Sequence, residues 1–139
     1  MKASLARWLL MMSALLASHV AMAQARTKAS LSIDHAVATP GANVLSAVRL
    51  IMPSHWHTYW LNPSESGLGG RATTVEWELP PGFKAGDIQW PTPVRLKEEA
   101  GSVFAYEGSV ALVVPIHVGP AVPVGEYTLR ARVEWLECE

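Results

Sequence analysis

Gly108-Ser109-Val110-Ala111-Leu112-Val113-Val114-Pro115-Ile116-His117-Val118 is the stretch that decides the fold class. Val110, Leu112, Val114, Ile116 and Val118 recur at every second position. Successive side chains of a strand point to opposite faces, so this is the pattern of a strand with one face in a core. Pro115 falls among the outward residues and has no N–H to give to a ladder. That predicts an edge or bulged strand.

The same period appears on either side. Thr73 to Leu79 sets Val75, Trp77 and Leu79 against Thr74, Glu76 and Glu78, and Pro80-Pro81-Gly82 ends it. Lys28 to Val37 places Leu31, Ile33, His35 and Val37 on one face. After the turn signal Pro40-Gly41-Ala42-Asn43, Val44 to Met52 reads as a second strand. Gly125 opens a last strand, with Tyr127, Leu129, Ala131, Val133 and Trp135 apolar and Thr128, Arg130, Arg132 and Glu134 polar. Asp87 to Trp90 is a short element closed by Pro91-Thr92-Pro93, and Arg95 to Gly101 reads as polar and exposed. Pro53 opens an irregular aromatic stretch that runs to Pro63, and Ser64 to Gly70 reads as loop. No segment holds a 3.6-residue apolar period. About seven short strands with frequent turns predict an all-β, immunoglobulin-like two-sheet sandwich, with a closed barrel as the competing architecture.

The first 23 residues differ in kind. Lys2 and Arg7 precede an apolar run from Trp8 to Ala17, and Ala21-Met22-Ala23 supplies small residues before Gln24. This is the order of a cleavable secretory signal peptide, and the run is too short for a membrane span. The expected organisation is therefore a signal peptide at 1–23 and one β-sandwich domain at 24–139. Without Lys2 and Arg7, nine of the eleven basic residues face twelve acidic ones, a net charge of −3. There is no basic run or stripe, which excludes the usual footprint of a nucleic-acid binder.

An exported domain enters an oxidising compartment where cysteines usually pair. The sequence has a single cysteine, Cys138, and it stops soon after in what reads as the body of a strand. A truncated piece of a longer protein is the expectation. Parity with Arg130, Arg132 and Glu134 puts the Cys138 thiol on the polar side of the last strand, toward solvent or a loop. Parity alone leaves a functional thiol and an incidental one equally open. His55 and His57 share strand parity, and Met52 and Cys138 are soft donors that suit copper. Two imidazoles do not make a metal site, so an aromatic corner packed on the core is the favoured reading. Trp77 and Trp135 fall on apolar faces. Trp56, Trp60 and Trp90 are left as candidates for stacking on sugar rings, although core use is the commoner fate.

Larger blocks say more than periods. Trp56-His57-Thr58-Tyr59-Trp60-Leu61-Asn62-Pro63, Ser66-Gly67-Leu68, Trp77 to Phe83, Gly86 to Pro93, Tyr106-Glu107-Gly108 and Val133 to Cys138 occur in that order. Together they resemble the N-terminal periplasmic domain of the bacterial thiol:disulfide interchange protein DsbD and its relatives, over nearly all of residues 28–139. The resemblance implies an immunoglobulin-like domain in the periplasm, within a protein-disulfide reductase anchored in the inner membrane. Electrons would reach it from the membrane domain through a thioredoxin-like domain of the same protein. It would pass them to periplasmic disulfide isomerases and cytochrome c maturation thioredoxins. Cys138 matches the first of the family's two redox cysteines, and the second is expected further along. No cofactor or metal is implied, because the cysteines carry the electrons. The family shields its thiols with a cap loop, for which Phe104 and Tyr106 are the candidates. The alternative, from a different class, is a non-enzymatic periplasmic binding module. It would hold copper through Met52, His55, His57 and Cys138, or carbohydrate through Trp56 and Trp60.

Overall fold

The computed structural model describes residues 26–64, 67, 69–99 and 101–139. The expected signal peptide, the bond after Ala23 and Gln24 lie outside the described residues. Among these the chain forms ten strands and no helix: β1 (Lys28–Ile33), β2 (Asn43–Ile51), β3 (His57–Ser64), β4 (Thr74–Glu78), β5 (Phe83–Ala85), β6 (Val94–Glu98), β7 (Gly101–Glu107), β8 (Ser109–Val118), β9 (Arg130–Glu134) and β10 (Glu137–Cys138). They pair antiparallel in the orders β1-β2-β8-β5 and β10-β3-β7-β6, with β4-β9 as a two-stranded ribbon. The all-β, antiparallel architecture agrees with the immunoglobulin-like expectation.

The alternating runs form the centre. β2 and β8 pair without a break from Asn43↔His117 to Ile51↔Ser109. Val44, Ser46, Val48 and Leu50 of β2 are buried, as are Val110, Leu112, Val114, Ile116 and Val118 of β8. Leu50, Leu112 and Ile116 have no exposed surface. Burying a side chain of that size stabilises by about 2 kcal/mol. The main cluster joins Val48, Leu50 and Met52 to Tyr106, Val110 and Leu112. Val75 of β4 and Val133 of β9 pack on its margin with Trp56, Trp60, Trp90 and Trp135, so all three sheets share one core.

Several expectations are corrected. β8 is an interior strand, flanked by β2 and β5. Pro115 falls where the β5 ladder ends: Gly86 N–H donates to Pro115 O, the next donation skips to Gln89 N–H on Val113 O, and a glycine faces the proline ring. β1 forms, but as an exposed edge strand. Leu31 and Ile33 keep over two fifths of their surface in water, and Val37 keeps 85%. The stretch read as irregular, Ser54 to Pro63, contains strand β3, and Arg95 to Gly101 belongs to the β6–β7 hairpin. β5 carries no alternation long enough to read. Finally, the last strand is not continuous. β9 ends at Glu134, and after Trp135-Leu136 the chain joins a different sheet as β10.

Candidate functional site

β10 sits on the edge of β3, with Glu137 opposite Thr58 and Cys138 opposite His57. Residues directly opposite across a ladder share a face. The odd-numbered residues His57 and Tyr59 therefore lie on the Cys138 side. The even-numbered Trp56, Thr58 and Trp60 lie on the other side, where both tryptophans pack against the core and the Thr58 hydroxyl donates to Met52 Sδ at 3.9 Å. His57, Thr58 and Tyr59 are all buried. A strand covered on both faces loses its period-two signature, which is why β3 reads as irregular in sequence.

The break before β10 removes the parity argument for Cys138. The thiol does not continue the polar face of β9. It is half-buried, and its partner is the Tyr59 hydroxyl, which hydrogen-bonds the sulfur. Burial first, then the hydrogen bond and charge of Cys138, then the charge of Glu98, push the Tyr59 hydroxyl well above its ordinary range. Tyr59 accordingly keeps its proton at neutral pH and remains a donor to the sulfur. Its ring is held from below by His57, edge-on at 5.0 Å, and alongside by Gly70. A Cβ on Gly70 would stand 2.6 Å from Tyr59 Cδ1, and the φ of +77° also favours glycine there.

Glu137 fastens β10 from the other direction. Its carboxylate accepts the backbone N–H groups of Arg26 at 2.7 Å and Thr27 at 2.8 Å. Burial would raise its pKa, but the donors from Thr27, Arg26 and Trp135 outweigh that and hold it below the usual carboxylate range. The Thr27 hydroxyl stands near this carboxylate without the alignment of a full hydrogen bond. The Arg26 guanidinium lies 5.0 Å over the Trp56 ring. The first described residues are thus tied to β10, which carries Cys138.

The cap-loop assignment of Phe104 and Tyr106 is corrected, since both lie on strand β7. Tyr106 is a core residue whose hydroxyl donates to Pro91 O at 2.7 Å, and burial pushes it up to about 12. Phe104 packs edge-on against Trp60 at 5.8 Å. What comes to the site is the end of the same hairpin. Glu98 Oε1 lies 3.3 Å from His57 Nε2. Sequence reasoning missed Tyr59 and Glu98 as site residues. The only signal for Tyr59 was its place in the long aromatic block.

Of the four copper donors in the binding-module alternative, the structure puts only His57 and Cys138 on one face. His55 is exposed in a turn with φ 69°, whereas His57 is buried in β3. Met52 is buried in the main cluster. Among the described residues there is no group of three or more His, Cys, Asp or Glu arranged to hold a metal ion. Trp56 and Trp60 present their rings to the core, Arg26 and Phe104.

Residues 27–139 match the family described as thiol:disulfide interchange protein DsbD, N-terminal. The chain belongs to the DsbD N-terminal domain family. This is the family that the sequence blocks resemble, and its match runs through Cys138. Among solved structures, the N-terminal periplasmic domain of ScsB from Proteus mirabilis is similar, with a TM-score of 0.60 and 17% identity. The likeness covers 83% of this chain but 41% of that one, so the chain spans about two fifths of the ScsB structure. At that identity the likeness bears on the fold. A comparison with curated protein sequences finds no match. The DsbD N-terminal domain family is one of thiol–disulfide exchange.

Proposed function

We propose that this chain is the substrate-facing domain of a DsbD-like reductase and that Cys138 is its attacking thiol. The observation that carries the reading is the placement of Cys138. It is half-buried on a strand edge with the Tyr59 hydroxyl on its sulfur, in a domain of a thiol:disulfide interchange family.

The Cys138 thiolate attacks one sulfur of a partner disulfide. An S–S bond forms to the partner, and the partner's other sulfur leaves as a thiolate and takes a proton. A second cysteine of the same protein, C-terminal to Cys138, then attacks the Cys138 sulfur. The partner leaves as a dithiol, and the two electrons it gained are those lost by the cysteine pair. Cys138 is the one cysteine of this sequence, so residues 1–139 alone form the mixed disulfide and go no further. A thioredoxin-like domain of the full-length protein, fed by its membrane domain, restores the dithiol. Disulfide isomerases and cytochrome c maturation thioredoxins are the partners, in the periplasm. The leader is removed after Ala23, which leaves Gln24 two residues before the Arg26 N–H held by Glu137.

The test is reduction of a periplasmic partner disulfide by the full-length protein supplied with a reduced donor, with and without Cys138→Ala. The expected result is loss of turnover to background in the variant, with fold retained. Turnover by Cys138→Ala at the wild-type rate overturns the proposal.

A further inference from the structure

One side chain, Glu137, links the outer strands of the two four-stranded sheets. β1 is the outer strand of its sheet, pairs with β2, and has all six of its residues exposed. β10 is the outer strand of the other sheet and pairs with β3 through two residues, Glu137 and Cys138. That is shorter than the usual strand of about 3 to 10 residues. The β1 ladder ends at Lys28↔Ile51. Met52, which follows β2, gives its N–H to Gly108 O. Thr27 and Arg26 therefore leave the β1 sheet, and both their N–H groups go to the Glu137 carboxylate, at 2.8 and 2.7 Å. Glu137 stands opposite Thr58, so its side chain is on the face of β3 turned to the core, while Cys138 is on the other face.

The carboxylate is well engaged. Besides the two backbone groups, the Trp135 side chain donates to it, and the Thr27 hydroxyl stands beside it. Trp135 packs on the main cluster, at the point where the chain changes sheets. Thr27 is 4% exposed between exposed neighbours, so its N–H has little access to water if Glu137 lets go. A buried donor left unpaired is costly, and an N–H on a charged acceptor is among the stronger hydrogen bonds. Three things then place the backbone of Cys138. These are its own pairing with His57, the pairing of its neighbour with Thr58, and the clamp on that neighbour.

We propose that Glu137 is a positioning residue for Cys138: by clamping β10 to Arg26 and Thr27 it aims the thiol at a disulfide held in a docked protein. The inference rests on the reading of Cys138 as the exchanging thiol, whereas the clamp itself does not. In the exchange, the Cys138 thiolate bonds to one sulfur of the disulfide as the other sulfur leaves as a thiolate. A small disulfide meets a loosely held thiol at any angle. A disulfide fixed in a docked protein does not, and a misplacement of about 1 Å can cost about a hundredfold in rate. Glu137→Gln puts an NH2 group where one acceptor oxygen was, so that it opposes one of the two N–H donors and the clamp opens. The opening should also be felt in β1, which begins next to Thr27, 110 residues before Glu137.

The experiment compares wild type, Glu137→Gln, Glu139→Gln and Thr27→Pro on two disulfides that share a leaving group. One is dithiobis(nitrobenzoate). The other is a thioredoxin whose single retained active-site cysteine carries a nitrothiobenzoate. In both, Cys138 forms the new S–S bond and the coloured nitrothiobenzoate leaves. Glu139→Gln removes a charge just as near Cys138 in sequence, from an exposed residue, and reports the effect of charge alone. Its ratio of the two rates should equal that of wild type. In Glu137→Gln the thioredoxin rate should fall about tenfold relative to the small-reagent rate. Thr27→Pro deletes one donor and keeps the charge. It should shift the ratio the same way, and it decides the matter if Glu137→Gln does not fold. A general loss of stability in protein that stays folded does not separate the two rates. Amide hydrogen exchange tests the clamp without the thiol. In Glu137→Gln the amides of Lys28–Ile33 should exchange about tenfold faster, and those of β8 as in wild type. An unchanged rate ratio, or β1 amides no faster than those of wild type, overturns the proposal. A wild-type thiol that does not react with the thioredoxin adduct, with the hydrogen-exchange link intact, overturns the reading of Cys138 and leaves the clamp standing.

Discussion

The two four-stranded sheets of this domain are built on different terms. In the β1-β2-β8-β5 sheet, β2 and β8 run nine registers without a slip, and the buried residues alternate strictly. Its one fully buried hydroxyl in that ladder, Ser46, donates to Val114 O at 2.7 Å. In the β10-β3-β7-β6 sheet the ladder jumps register, and the start of β3, His57 to Tyr59, is covered on both faces. Three buried polar atoms of β3 have no hydrogen-bond partner: His57 Nε2, Trp60 Nε1 and Ser64 Oγ. Cys138 is on that second sheet. One sheet is optimised for packing. The other leaves buried polar groups without hydrogen bonds along the strand that pairs with β10, as expected where function competes with stability.

The largest test of this contrast is Leu112→Ala, in the fully buried centre of β8. It should lower the unfolding free energy by about 3 kcal/mol in urea titration. Cys138 alkylation in the protein that remains folded should not change. A large change in alkylation would mean that the two sheets are not separable.

Glu137→Gln comes next, because it weakens two charge-assisted hydrogen bonds that anchor β10. A loss of about 1 to 2 kcal/mol is expected at neutral pH. The sign with pH follows from the depressed pKa of Glu137. A carboxyl held below its unfolded value contributes stability above that value and loses it as the pH falls through the folded one. The difference between wild type and Glu137→Gln should therefore shrink as the medium is acidified below about pH 4, which denaturation at a series of pH values would show. A difference that grows on acidification would contradict the assignment.

The smallest and sharpest test is a matched pair of hydroxyl deletions. Ser46→Ala strips a satisfied hydrogen bond from the first sheet and should cost about 1 kcal/mol. Ser64→Ala removes an unpaired buried hydroxyl from the second and should be neutral or stabilising by about 0.5 kcal/mol. Equal losses in both would erase the distinction between the sheets.

The fate of each strand in sequence reading follows the same division. β2, β4 and β8 were legible because each has one face in the core and one outside it, and that asymmetry writes a period of two into the chain. β3 was not, because Thr58 and Trp60 face the core while His57 and Tyr59 are covered on the other side. The β6–β7 hairpin was not either. Its inward residues Val103, Ala105 and Tyr106 include two neighbours, and its end is polar. Cys138 stood out as the lone cysteine and by family resemblance, but its surroundings did not.

By itself the sequence determined the class of fold, an all-β domain of alternating strands, and the family, through long Trp- and Pro-rich blocks that end at Cys138. Only the tertiary structure decided where that thiol points and what surrounds it. Parity predicts a face only while a chain stays in one sheet, and this chain changes sheets at Trp135-Leu136. Tyr59 and Glu98 reach the site across gaps of 79 and 40 residues in sequence from Cys138. Contacts of that range are set by strand order, a register jump and the curl of a hairpin, and none of these leaves a local pattern to read.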